Sequence, residues 1–484
     1  MRVAAAAALS LPASAWPHAF DERYDLPAPL AYFVAGATAA VGLSFVVAAL
    51  FARRAPPVAP ATDRVLTLGY LLPVLRPICG FASLALLALT IVAGLFGTRD
   101  PMMNLAPTLV WIVWWVGLSL LVACIGNVWP ALDPWRALFG MMDALARRLG
   151  RQPGVAIGWT YPHAIGTWPA VVLLLLLSWF EVVYAQGSAP DRIARVAVAW
   201  SVVTLAGMAC FGRESWQRNA DVFAVYFATL GRFAPVAPGP DARTIRLRPP
   251  GRGLITADAG SAAMVGFVIA MLSTVLFDGL LSGEAWWVVQ RRITRSVPQL
   301  FDGNGYIVGT TGLIGVWLVF LASYWASCRI AALLAGGRAT RTMMRAFALC
   351  LVPIAIAYNI AHNCANFVVQ GQQIIPLLSD PLGLQWNLLG TAAFRPAIGL
   401  IDARVTWYIA IGAIVAGHVI SIWLAHRVAL REFATARRAV SAAIPLTVLM
   451  LMYTAISLSI IAEPMVKFDA QSPQAFEPGF AIRP

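Results

Sequence analysis

Long apolar stretches alternate with short polar ones along almost the whole chain. Ten runs approach the roughly 20 residues that a helix needs to cross about 30 Å of hydrocarbon. They fall at about 30–51, 77–97, 105–128, 166–184, 193–212, 260–281, 306–332, 346–370, 405–426 and 440–462. Each predicts a spanning helix, so the pattern predicts an all-α polytopic membrane protein with a single transmembrane domain over 16–484. An even number of spans puts both mature termini on one side.

Composition agrees with the pattern and excludes the alternatives. Of 484 residues, 60% are hydrophobic and 12% charged. No soluble core could hide that much apolar surface, and disorder requires the opposite balance. The net charge of +13 invites a nucleic-acid reading,. However, 34 of the 35 basic residues are Arg and they sit between the apolar runs, where basic residues set topology,. No nucleic-acid partner is expected; the partner the sequence demands is the lipid bilayer. With the N-terminus outside, 23 basic residues fall on the cytoplasmic side and 11 outside, which orients both mature termini outward. Met1-Arg2, an Ala/Leu stretch and Ala13-Ser14-Ala15 resemble a signal peptide over 1–15,. A multi-pass protein of a bacterial inner membrane, with a periplasmic outer face, is the simplest location.

Between the spans, 213–258 is rich in Arg and Pro and reads as a cytoplasmic surface linker that meets anionic lipid,. The stretch 284–299 pairs Trp286 and Trp287 with Arg291, Arg292 and Arg295, as an interfacial helix would,. Cys79, Cys124, Cys210, Cys328, Cys350 and Cys364 are scattered singly within apolar runs, with neither metal nor disulfide spacing,. Trp111, Trp114 and Trp115 read as helix packing or an interface belt,.

Ionisable groups inside the membrane are costly and mark functional sites by default. In the eighth run Asn359, His362, Asn363, Asn366, Gln370 and Gln373 form one polar stripe at helical spacing,. It serves either as interhelical glue or as the wall of a cavity, with Asn359, Asn366 and Gln370 lining it. At a rise of about 1.5 Å per residue, His362 lies roughly 25 Å from the inner boundary, Glu181 roughly 22 Å and Asp278 roughly 27 Å. The three share one depth on three helices. His418, about 13 Å up, does not join them and reads as a helix–helix hydrogen-bonding residue. His18 on the outer arm could descend onto the same place. His362, His18, Glu181 and Asp278 would then suit zinc or another divalent metal, whose bound water serves as nucleophile. The same carboxylates equally suit a proton relay in a transporter. HExxH, GxSxG, phosphate-loop and dinucleotide motifs are missing from the sequence,.

Several segments carry a resemblance. They are Arg23-Tyr24-Asp25-Leu26-Pro27, Pro107-Thr108-Leu109-Val110-Trp111, Trp114-Trp115-Val116-Gly117-Leu118, Asn127-Val128-Trp129 and Asp133-Pro134-Trp135-Arg136. Phe277-Asp278-Gly279, Ala361-His362 through Gln370-Gly371-Gln372 to Leu378-Ser379-Asp380-Pro381, and Ala416-Gly417-His418 complete the set. From about residue 20 to about 465 the chain resembles bacterial multi-span membrane proteins that carry the name fenitrothion hydrolase, a membrane organophosphotriester hydrolase with two kinds of subunit. The resemblance implies hydrolysis of hydrophobic organophosphate-type esters and a second membrane or periplasmic subunit. It brings no site residues with it.

On the residues themselves, His362, Glu181 and Asp278 would activate water, with Asn359 or Asn363 donating to a developing oxyanion. A proton-coupled permease using the same cavity is the alternative. A membrane anchor docking a partner through the polar stripe is the third reading.

Overall fold

A computed structural model describes residues 24–52, 63–152, 154–298 and 305–467. The expected signal segment and His18 lie outside the described residues. Among those residues, nine helices are long and apolar enough to cross a membrane. They are Leu30–Phe51, Leu71–Phe96, Leu105–Cys124, Pro190–Phe211, Ala262–Leu281, Tyr306–Leu334, Thr340–Ser379, Ala403–Glu432 and Ala436–Glu463. The remaining expected span, 166–184, forms only Trp168–Val182, about 22 Å of helix at 1.5 Å per residue. Numbered in chain order with this short helix as the fourth, the set makes ten. The chain is thus an all-α multi-pass membrane protein.

The order of burial places the centre. The first span has 17% of its apolar window buried, whereas the sixth (Ala262–Leu281) has 72% and the eighth (Thr340–Ser379) 78%. A helix apolar on every side needs neighbours on every side when it sits mid-bundle. The sixth obtains them from the fourth, seventh and eighth. Its hydroxyls return to their own helix, Thr274 Oγ1 donating to the Ala270 carbonyl at 2.8 Å. The eighth, ninth and tenth pack in succession, with the first laid across the ninth and tenth and the second against the fifth.

Two glycines set the closest crossings. A Cβ on Gly417 of the ninth span would collide with the Ala357 Cβ and the Pro353 carbonyl of the eighth, and one on Gly94 would strike the Pro190 carbonyl. Small residues let helix backbones approach where lipid gives no hydrophobic drive. Gly417→Leu is therefore expected to cost about 1–3 kcal/mol or more through overpacking. A thermal-unfolding midpoint in detergent equal to that of the wild type would refute this packing.

The stretch 213–258 corrects the expectation of a surface linker. Arg213–Asn219 and Val222–Gly231 are helices. The second is a buried plug whose Val222, Phe223, Val225, Tyr226, Phe227 and Leu230 all lie inside. At ten residues it is too short to span, so a search for spans leaves it among its polar neighbours. The Pro- and Arg-rich remainder supplies Val236–Pro238 and Thr244–Leu247, which join Arg64–Thr67 in an antiparallel sheet with Thr244–Leu247 central. Arg248 donates to the Gly231, Arg232 and Ala234 carbonyls, satisfying backbone acceptors left open at the end of the plug helix. Arg246 and Arg252 meet Asp63.

Glu284–Ser296 is a helix as expected, with Trp286 buried against Phe277 at 5.3 Å between ring centroids and its Arg residues exposed. The backbone of Tyr24–Asp25 pairs in parallel with Val466–Lys467. The two described ends of the chain thus meet on one face, at the opposite end of the first span from the sheet.

Candidate functional site

The fourth, sixth and eighth helices bring Glu181, Asp278 and His362 together. His362 Nε2 lies 2.9 Å from Asp278 Oδ2. Glu181 is close enough to feel the Asp278 charge, and the Trp115 indole lies beside it. Tyr358, one turn before His362, stacks on its ring at 6.3 Å between centroids and also lies within the field of Asp278.

Each acid follows an anchored phenylalanine. Phe277 is fully buried under Trp286, while Phe180 packs on Trp111 and Tyr184. These rings fix the last turns of two helices so that the following carboxylates point into the bundle rather than to lipid. The third span adds a second constraint. Thr108–Gly117 winds as a π-helix, a form that is rare and often found at functional sites. Trp111 donates from it to the Gly187 carbonyl beyond Glu181 at 3.1 Å, and Trp115 reaches Glu181 itself.

The rest of the polar stripe has other surroundings. Asn359 is buried and its Oδ1 has no partner among the described atoms. Asn363, Asn366 and Gln370 are half-buried along the same helix. Gln372 accepts from the Ala397 N–H at 3.0 Å, tying the outer segment to the end of this helix. His418 is buried and bonds through Nδ1 to the Ile414 carbonyl of its own helix at 2.8 Å. Its Nε2 has no partner among the described atoms, so no bond from this ring to another helix is seen there.

No group of three His, Cys, Asp or Glu side chains among the described residues could hold a metal ion. Asp278 and His362 meet, Glu181 stands behind them, and His18 lies outside the described residues. The expected four-ligand set is thus not complete among the described residues, and no chemical step below passes through a metal.

Beside the cluster lies an aromatic cavity of ≈ 470 Å³ between the second, third and fifth spans. Trp111, Trp114, Trp135, Trp200, Phe223 and Phe367 are among its walls, whereas Asn359, Asn366 and Gln370 are not. Two of the three tryptophans expected to serve packing or an interface belt thus line a hollow, and the third contacts an acid. Trp115, Tyr358 and the cavity are what sequence reasoning missed. The signal in the sequence was the density of Trp near Gly117, where a Cβ would run into the Phe367 ring.

A second pair of acids sits at the Arg-rich end, outside the spans. Asp133 caps the helix Pro134–Arg148 and Asp221 caps the plug helix. Asp133 also accepts from Gln217 Nε2, while Arg136 bonds Gln217 and Glu214. Burial, partly offset by backbone hydrogen bonds and by Arg136, pushes the Asp133 carboxyl up to about 6. Burial together with the Asp133 charge pushes Asp221 to about 7. Asp221 Oδ2 has no partner among the described atoms.

Comparison with family models, curated proteins and solved structures gave no match. The class of protein rests on the fold alone: a multi-pass helical membrane protein with an acid–imidazole cluster inside its bundle.

Proposed function

We propose that the Asp278–His362 pair is a membrane-embedded acid–base site acting on a hydrophobic substrate. The observation that carries this reading is the 2.9 Å bond between an imidazole and a carboxylate from different spans. A carboxylate so placed orients the ring and stabilises its charged form while it takes up a proton.

The reaction that fits both this pair and the family resemblance is hydrolysis of a hydrophobic organophosphate-type ester. Water oxygen bonds to phosphorus as His362, held by Asp278, takes its proton. The phosphorus–oxygen bond to the leaving group breaks, and the same proton passes to the leaving oxygen. Asn363, one residue from His362, supplies a donor for the developing negative charge.

Proton-coupled movement of a hydrophobic solute is the second reading. Glu181 favours it, because a second carboxylate beside Asp278 exceeds what a hydrolytic pair needs and extends a path for a proton. On the positive-inside rule the cluster opens toward the periplasm of a bacterial inner membrane. A second subunit would dock on the polar stripe, and Asn363→Leu would then shed it.

Proteoliposomes loaded with a fluorescent pH indicator test both readings with a p-nitrophenyl dialkyl phosphate as probe. Hydrolysis releases nitrophenolate, whereas coupled movement shifts the internal pH without it. Neither signal in the wild type, or an undiminished signal in His362→Gln, would sink the proposal.

A further inference from the structure

The aromatic cavity has a shape and an opening that the acid–base site alone does not explain. Its wall on the third span runs from Leu109 to Leu121, through the π-helical stretch and the α-helix after it. Polar atoms in the wall are largely turned to the protein. Thr90 Oγ1 donates to the Leu86 carbonyl and Trp135 Nε1 to Ser201 Oγ, both at 2.8 Å. An apolar slot of this volume lies within the range of small-molecule sites.

The entrance faces lipid. Leu86, Leu121 and Val196 line the cavity and are also 37%, 40% and 38% exposed. All three belong to spanning helices, so their exposed sides meet hydrocarbon. A ligand drawn from water would need a polar mouth at an end of the bundle; these residues make an apolar mouth in its side.

At its other end the cavity adjoins two of the helices that carry the acid–base cluster, although Glu181, Asp278 and His362 are not among its walls. Phe180 and Phe367 both line it. Phe180 immediately precedes Glu181, and Phe367 follows His362 by five residues on the same helix. A chain lying along the slot would bring its head to these two rings, on the fourth and eighth helices.

We propose that this cavity is a tail site, which admits one hydrocarbon chain of a bilayer amphiphile sideways from the membrane and leaves its polar end at Phe180 and Phe367, on the helices that carry Glu181 and His362. The tail site stands on the cavity's geometry; the role of the polar end rests on the acid–base reading above. The natural substrate class is then a single-chain membrane amphiphile with an ester or comparable polar end, and hydrophobic triesters would enter by the same door.

Photolabelling tests the tail site without reading activity. The full chain is placed in phosphatidylcholine nanodiscs with palmitate carrying a mid-chain diazirine, irradiated, and mapped by peptide mass spectrometry. Label is expected in the cavity segments 109–121 and 193–200 above that on Ile314, Leu318 and Val319, which are exposed on the seventh span. Ala197→Trp and Val113→Phe both narrow the slot and should remove the cavity label while leaving the seventh-span label unchanged. The unchanged label, together with an unshifted unfolding midpoint, confirms that the variants fold.

Cavity label no stronger than the seventh-span label, or label that survives in a folded narrowing variant, overturns the tail site. Asp278→Asn should keep the cavity label. Loss of activity with retained label therefore tests the acid–base reading separately, and loss of label alone condemns only the tail site.

Discussion

Replacing Asp278 with Asn is expected to lower substrate turnover by about 10²–10⁴-fold, the range that acid–base groups supply, in a protein that still folds. Asn keeps the shape of the side chain and an oxygen for His362, but it brings no charge and cannot share a proton. The Asp278 side chain is 34% exposed and that of His362 is 9% exposed. The pair is thus open on the carboxylate side, and an amide there is not stranded in a sealed core. Glu181→Gln separates the two readings. Asp278 is the acid bonded to the imidazole, so hydrolysis should persist within a few-fold, whereas proton-coupled movement should stop. Turnover by Asp278→Asn within a factor of two of the wild type would remove the site from the chemistry.

The Asp133–Asp221 pair gives the second large effect, on stability. Both carboxyls keep their protons to higher pH in the folded protein than in the unfolded chain, since they rise from 3.8 to about 6 and about 7. Where the folded state holds the extra protons, stability falls as pH rises. The contribution is fully present below about 4, declines through the range up to about 7, and then levels off. The thermal-unfolding midpoint in detergent should therefore be higher near pH 5 than near pH 8. Asp221→Asn should flatten this slope and raise the midpoint near pH 8 by several degrees. An amide oxygen can still accept from the Ala224 N–H, as Asp221 does at 2.8 Å, without a charge to bury. A slope unchanged in Asp221→Asn would assign the pH dependence elsewhere. At least one further group would be involved, because Arg136 and Glu214 also pack around Asp133.

Hydrophobic runs made the fold class legible, because in lipid every backbone group must be satisfied within its own helix. That requirement ties length and apolarity directly to a spanning helix. It fails for segments that protein rather than lipid surrounds. Trp168–Val182 stops short of a full span, and Val222–Gly231 is apolar yet only ten residues long. Both are held by neighbouring helices, and nothing in their own sequence says which ones.

The candidate site divides in the same way. Depth arithmetic alone set Glu181, Asp278 and His362 at one level, because rise per residue is fixed in a helix. Whether they met depended on rotation about each helix axis and on which helices were neighbours. The Gly417 crossing, the Phe277–Trp286 contact and the π-helical winding of Thr108–Gly117 settle those rotations. The amide stripe was equally visible, but the hollow formed elsewhere, among rings of the second, third and fifth spans. Cavities are what packing leaves unfilled, so they have no periodicity to read along a chain.

By itself, then, the sequence determined the membrane class, the spans and the common depth of three ionisable groups, since each follows from local chain geometry and the cost of polarity in lipid. Only the tertiary structure decided that Asp278 bonds His362, that Trp115 lies beside Glu181, that 213–258 folds against the bundle, and that an aromatic-walled cavity forms between the second, third and fifth spans. Those depend on contacts between residues far apart in the chain, where small differences in helix rotation and crossing determine which side chains touch.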